Sequence, residues 1–237
     1  MRIYYDNYFN KKYFIYFLLY MEEIEGKFLD INISNLRKKL KLNGAKKIHK
    51  MMLYKRYVFH LLTGEKGYIR TRQEDKSVTI TVKTYPKDSK FAKESEITVD
   101  NTLEQSRDFL LAQGYKLKAY QETLREKWSL GNCLEIAIDT IPGIPTYVEL
   151  ECKNEKEIKR VAKILDLDYS KIEYGAYDKQ FVDYYGMQKE DINDRVANLT
   201  FKNIDKEIKP FIKKNNELLQ NVKKESLKLI LKNKIKI

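Results

Sequence analysis

The sequence predicts an α+β fold in which an antiparallel β-sheet closes into a barrel, with a charged interior and amphipathic helices packed outside. Three observations point there. Strand-like segments alternate charged and apolar residues with a period of two, short amphipathic helices directly follow several of them, and glutamates two residues apart recur where strand gives way to helix.

The elements follow in order along the chain. "EIEGKF" places Glu23, Glu25 and Lys27 on one face and Ile24, Gly26 and Phe28 on the other. After Ser34, "NLRKKLKLNG" carries Leu36 and Leu40 at helical spacing and ends at Gly44, which suits the left-handed position past a helix end. "RYVFHL" reads as a strand; His60 lies in it and His49 in its lead-in, neither with a catalytic duty. "GYIRTRQED" sets Arg70 and Arg72 two apart, and "SVTITVKTY" alternates Val78, Ile80 and Val82 with Thr79, Thr81 and Lys83. "ESEITV" brings Glu94 and Glu96 to the start of a helix at Asn101 or Thr102 that ends at Gly114.

"QETLREKWSL" and "CLEIAIDTI" form a strand pair around "LGN", carrying Arg125 and a packing Trp128. In the second of them Leu134, Ile136 and Ile138 alternate with Glu135, Ala137 and Asp139, so Asp139 falls on the polar face. "IPGIP" turns the chain into "YVELEC", with Glu149 and Glu151. A helix then opens at Asn154, with Glu157 three residues on as in a capping box, and Ile158, Val161, Ala162 and Leu165 share one face. "YGAYDKQFVDYYG" predicts a short helix near a barrel mouth.

A chain of 237 residues suits one main domain, at about 100 to 200 residues per domain. The reading divides it into an extension at 1–20 outside the fold, a barrel domain at 21–186 and a Lys-rich helical extension at 187–237. Residues 1–20 are rich in Tyr and Phe and lack a signal-peptide cleavage pattern, and Met21 is the expected natural start. No run approaches the roughly 18 apolar residues of a membrane span, so no integral membrane protein is expected. Net charge is +12, yet from Thr200 to Ile237 eleven lysines face four acids, so +7 of the excess sits in the last 38 residues. That distribution weakens the case for a nucleic-acid partner, leaving RNA or a membrane surface as an alternative role of the basic C-terminus, which is read first as a helix packed on the barrel. Cys133 and Cys152 are read as reduced core residues in a reducing cytoplasm, and the two histidines lack metal-ligand spacing. Oligomeric state is not legible.

An interior holding Lys27, Arg70, Arg72, Lys83 and Arg125 with Glu23, Glu25, Glu94, Glu96, Asp139, Glu149 and Glu151 is costly to desolvate when empty. A polyphosphate carrying divalent metals fits it, with the bases on phosphate oxygens and the carboxylates on hard cations.

"EIEGK", followed in order by Arg70 and Arg72, Lys83, the Glu94–Glu96 strand, Arg125 and the closing "D…PG…ELE" segment, resembles the CYTH superfamily of triphosphate tunnel metalloenzymes. That superfamily includes class IV adenylyl cyclases, thiamine triphosphatases and inorganic tripolyphosphatases. The resemblance covers about residues 22 to 186 and implies an eight-stranded antiparallel barrel around a triphosphate. It implies that Lys27, Arg70, Arg72, Lys83 and Arg125 bind substrate and act in catalysis, and that Glu23, Glu25, Asp139, Glu149 and Glu151 bind or orient Mg²⁺ or Mn²⁺, with Glu94 and Glu96 in a metal or water-positioning role. Two positions depart from the family pattern: Thr123 stands where many members have a lysine, and Pro145 where glycine is frequent. The implied activity is metal-dependent hydrolysis of a triphosphate. The alternatives are a class IV adenylyl cyclase, an RNA 5′-triphosphatase and a tunnel that only binds polyphosphate.

Overall fold

In a computed structural model, residues 21–237 are described. The expectations for residues 1–20 lie outside the described residues. Nine strands form the main path: β1 (Met21–Glu23), β2 (Glu25–Phe28), β3 (Lys46–Phe59), β4 (Gly67–Glu74), β5 (Ser77–Thr84), β6 (Ala92–Val99), β7 (Leu117–Leu130), β8 (Cys133–Thr140) and β9 (Tyr147–Cys152). Their order is β1-β6-β5-β4-β3-β7-β8-β9-β2, with every neighbouring pair antiparallel. Only Ile24 separates β1 from β2, so the two ends of the path meet and the sheet all but closes on itself.

The count is nine where eight were expected, and the difference lies at Ile24. Barrel strands are tilted and staggered, so the closing segment meets its two neighbours over different residues. Met21–Glu23 pairs with β6, and Glu25–Phe28 pairs with β9. A two-residue strand, β10 (Asn198–Leu199), adds to β7 in parallel, off the main path.

Helices α1 (Ile33–Leu42), α2 (Leu103–Ala112) and α3 (Glu155–Leu165) follow the three glutamate-bearing strands. Each opens on a side-chain cap: Asn32 accepts from the Asn35 amide, Thr102 forms a reciprocal capping box with Gln105, and Asn154 accepts from the Glu157 amide. The outward residues Phe28, Trp128, Ile136, Ile138, Val148 and Leu150 pack with Leu36 and Leu40 of α1 and Ile158, Val161, Ala162 and Leu165 of α3 in one core. Burial of each large apolar side chain there contributes about 1.5–3 kcal/mol, which fixes the opposite, charged faces inward. Gly26 lies on the outward side, where a Cβ would meet Ile172 Cδ1 at 2.4 Å. That close approach draws residues 172–174 onto the strand, and the Lys27 and Glu173 backbones bond each other in both directions at 2.9 Å.

Cys133 and Cys152 lie directly opposite each other across β8 and β9 and are joined by a disulfide. This corrects the expectation of two reduced thiols, and the compartment inferred from them loses that support. Nothing in a spacing of 19 residues announces the pair; only strand register brings it together.

After β9 and α3 the chain continues through α4 (Asp178–Tyr185), a π-helical turn at Asp191–Arg195, α5 (Ile204–Ile208) and α6 (Asn216–Lys232). A second core joins Ile141, Ile144 and Tyr147 of the barrel to Phe181, Tyr185, Leu199, Ile204 and Leu219. Helix α6 spans both cores, Leu219 lying in the second and Ile230 in the first, while Lys224, Lys228 and Lys232 are exposed. Among the described residues no helix is long and apolar enough to cross a membrane.

Candidate active site

Residues opposite each other in neighbouring strands share a face, so register fixes which side chains meet inside the barrel. Around Lys83, which faces Glu94 across β5 and β6, gather Glu23, Glu25 at 2.8 Å and Glu94 at 3.9 Å. Arg70 lies 3.9 Å from Glu94 and 3.8 Å from Glu96; Arg72 pairs with Glu74 and lies 3.5 Å from Glu96. Thr81 donates to Glu96 at 2.7 Å.

A second cluster surrounds Arg125. Its guanidinium grips both oxygens of Asp139, Nε to Oδ1 at 2.8 Å and Nη2 to Oδ2 at 2.6 Å, and also reaches Glu135 at 2.6 Å and Glu149 at 3.6 Å. The closing strand links the clusters, because Glu25 faces Glu151 and Lys27 faces Glu149 across β2 and β9. Lys27 is 2% exposed, and its ammonium donates to the Gly175 carbonyl. The residues predicted from the sequence are thus all brought together in one interior.

Five further interior groups escaped the sequence reading. Lys127 is buried and bonds Glu135 at 2.7 Å, and Glu74 partners Arg72. Lys127 obeys the same alternation as Arg125, two residues earlier, and supplies a cation on the strand face where Thr123 lacks one. Glu135 stands four residues before Asp139 on a face already recognised as polar. Arg56 faces Arg72 in register, and its Nε donates to Gln121 at 2.8 Å. The Tyr54 ring carries Arg72 at 5.6 Å and Arg125 at 5.9 Å, a cation–π floor for both guanidiniums. These last two were hidden because β3 interrupts its polar face with Met52 and Val58.

Electrostatics follow from that crowding. Glu25, Glu96 and Glu135 are each buried, which raises a carboxyl, yet the facing bases outweigh burial and hold all three below the usual carboxylate range. Lys83 and Arg125 are pushed above their ordinary values, burial opposing the shift and the surrounding carboxylates driving it. Glu23 goes the other way, raised well above its ordinary value by burial and then by Glu25. Burial, then Glu25, pushes Glu149 up to about 7; burial, then Glu135 and Glu25, pushes Glu151 up to about 7.

A carboxyl whose folded pKa exceeds its unfolded value stabilises the fold below the unfolded value, and that contribution is lost as pH rises through the folded one. For Glu149 the window runs from 4.5 to about 7. Glu149→Gln is therefore expected to leave the Tm of metal-free protein unchanged near pH 4. At pH 8 the same change is expected to raise stability by roughly 3 kcal/mol, several degrees in Tm. Identical melting curves for both proteins at pH 8 would refute the shift.

Donor chemistry and charge both fit a divalent cation. Among the described residues, seven bases (Lys27, Arg56, Arg70, Arg72, Lys83, Arg125, Lys127) face nine acids (Glu23, Glu25, Glu74, Glu94, Glu96, Glu135, Asp139, Glu149, Glu151), so carboxyl groups outnumber bases by two. Among the described residues no three acids, histidines or cysteines converge to hold a metal ion, so the carboxylates supply suitable oxygens without a pre-assembled cage. Anion acceptors are also called for: the Nε donors of Arg70 and Arg72 and the hydroxyls of Thr79 and Thr123 are buried without hydrogen-bond partners.

Two cavities border this interior. One opens as a cavity of about 400 Å³ between β3 and the β4–β5 hairpin, reaching Tyr54, Glu74 and Lys127. At the other, Glu23, Glu25, Tyr85 and Gly175 leave about 10 Å³. Here Tyr174 meets Phe91 edge-on at 5.7 Å, and Lys90 spans both rings on its way to Glu155 at 3.0 Å.

The family model of the CYTH domain matches residues 21–176. This chain belongs to the CYTH domain family. Among solved structures, the PH1012 protein of Pyrococcus horikoshii is similar at 21% identity and a TM-score of 0.56, covering 66% of this chain and 97% of that one. A conserved hypothetical protein of Pyrococcus furiosus aligns at 20% identity and a TM-score of 0.54, over 65% of this chain and 97% of the other. A Vibrio parahaemolyticus protein whose name proposes an adenylate cyclase aligns at 16% identity and a TM-score of 0.56, over 68% and 98%. At these identities the likeness supports the CYTH fold and nothing finer. No curated protein matches the chain.

Proposed function

We propose that this CYTH tunnel hydrolyses a triphosphate with the help of Mg²⁺ or Mn²⁺. The observation that carries the proposal is the interior itself, where buried arginines retain unpartnered donors beside an excess of carboxylates. The first feature suits phosphate oxygens and the second suits the cations that accompany them.

Arg70, Arg72, Lys83, Lys27, Arg125 and Lys127 bind phosphate oxygens and stabilise the charge that develops on the transferred and leaving groups. Tyr54 and Asp139 orient Arg125; with both Asp139 oxygens engaged by that guanidinium, its role is positioning. Glu23, Glu25, Glu149 and Glu151 hold the cation, with Glu94 and Glu96 beside them. The bound ion, when present, neutralises phosphate charge and acidifies a water. Glu94, beside the residues assigned to the cation, offers a buried carboxylate oxygen without a hydrogen-bond partner to take the proton that water gives up. The water oxygen bonds to phosphorus as the bridging P–O bond breaks, and the leaving phosphate carries away that electron pair.

The test is product analysis after incubation with ATP, tripolyphosphate and thiamine triphosphate under each metal. Release of orthophosphate is expected. Cyclic AMP would replace hydrolysis by attack of the ribose 3′-hydroxyl, turnover confined to RNA 5′ ends would replace the substrate, and tight tripolyphosphate binding with no turnover would make the tunnel a binding module.

A further inference from the structure

Two segments concentrate positive charge outside the barrel. Residues 37–50, which run from α1 into β3, hold seven bases and no acid, and residues 226–237, the end of α6 and the tail after it, hold four lysines and no acid. Lys38, Lys41 and Lys46 in the first, and Lys232, Lys234 and Lys236 in the second, are exposed and carry no ion pair among the described residues. Both segments border one core: Leu40 and Ala45 pack on it from the first, Ile230 and Ile235 from the second. Helix α6 lies beyond the CYTH domain, and none of these six lysines belongs to the tunnel interior.

Each segment also lifts an apolar side chain into water. Leu42, 84% exposed, and Leu231, 76% exposed, are the two most exposed large apolar residues among those described, and Leu227 lies four residues before Leu231 on the same helix face, 39% exposed. A single exposed leucine needs no explanation. Two that crown the two acid-free segments, each next to an unpaired lysine, form a pattern with a chemical counterpart. An anionic bilayer is that counterpart: leucines sink to the boundary between headgroups and acyl chains, while lysine stems run beside them and keep the ammonium among lipid phosphates. Each lysine brought to such a surface multiplies partitioning about fivefold, a gain that salt screens. RNA is matched less well, because single strands stack their bases on aromatic rings and guanidiniums fork onto phosphates. Here the one aromatic ring, His49, is bonded to Tyr54, and the one arginine, Arg37, to Glu126.

We propose that the ends of α1 and α6 form a docking face for an anionic lipid surface, with Leu42, Leu227 and Leu231 inserted among the headgroups and the unpaired lysines on lipid phosphates. The attachment is peripheral, weakened by salt, and independent of what the tunnel does to its ligand.

Sedimentation of the full chain with lipid vesicles tests this. Vesicles of equal parts phosphatidylcholine and phosphatidylglycerol are expected to bind the protein at least about tenfold more tightly than phosphatidylcholine alone. Leu42→Asp/Leu231→Asp is expected to weaken that binding about tenfold, and Lys41→Glu/Lys232→Glu/Lys236→Glu to bring it down to the level of phosphatidylcholine alone. Both variants alter exposed side chains only, so each is expected to melt with the native protein. Equal binding to the two vesicle types, or native binding by the leucine variant, would overturn the proposal. So would retention on transfer RNA that the mixed vesicles cannot displace, which would make the face a nucleic-acid site. Absence of any hydrolysis would sink the catalytic reading and leave this one standing.

Discussion

Arg125→Ala is expected to destabilise the protein by roughly 3–5 kcal/mol, lowering Tm by about 10 °C, and to remove triphosphate turnover. Asp139 is 1% exposed, and both of its oxygens are held by this one guanidinium. Truncation leaves a buried carboxylate without its counterion, beside Glu135 and Glu149, which lose the same partner. Arg125→Ala/Asp139→Asn is expected to recover part of the stability but none of the activity, because the asparagine removes the orphaned charge without restoring a phosphate ligand. A single variant that melts within about 2 °C of the native protein would show that Asp139 does not depend on Arg125.

Glu25→Gln should have the opposite profile, with turnover reduced about a thousandfold, as for loss of one well-placed electrostatic group, and the fold intact. Glutamine preserves the volume and can still accept from Lys83, which keeps Glu23 and Glu94 as counterions. What disappears is a negative charge that bases hold ionised at neutral pH, in the part of the interior assigned to the cation. Steady-state kinetics beside a thermal melt separates the two effects. Near-native turnover would remove Glu25 from the cation site; a large fall in Tm would mean that its role is structural.

The alternation that predicted the barrel is a local property, and it carried what local properties can carry. Glu23, Glu25, Arg70, Arg72, Lys83 and Asp139 could be placed on inward faces because side chains two apart must share a face, whatever strand lies alongside. The helix starts at Thr102 and Asn154 were legible for the same reason, since a cap is chemistry within four residues. Register was not legible, and everything that depends on it was missed: the disulfide between Cys133 and Cys152, the bond from Lys127 to Glu135, and the Tyr54 floor beneath two arginines. The bond from Lys27 reaches the Gly175 carbonyl, 148 residues away, which no period in the sequence can announce. Where the polar face was broken by Met52 and Val58, even the local signal failed, and β3 hid Arg56.

The break at Ile24 bears on how the molecule is assembled. The closing segment is held by ladders of three and four residues, pairing Met21 with Glu94 on one side and Glu25 with Glu151 on the other. Partners that distant in the chain are brought together at a high loop-closure entropy, and contacts of that range form late. The ladders from β3 to β6 and from β7 to β9 can zip between strands consecutive in the chain, and β3 with β7 joins those two sets, but the seam must wait for both of its edges. Short ladders are also the first to open in local fluctuations, so the three-residue ladder of Met21–Glu23 is expected to exchange before the longer ones. Lys83 acquires Glu23 and Glu25 only when that seam shuts, whereas Arg125 finds Asp139, Glu135 and Glu149 on β8 and β9. A chain arrested one step short of the native state would have most of its strands and the Arg125 cluster, but an interior without Glu23, Glu25 and Lys27 and a first core without Phe28.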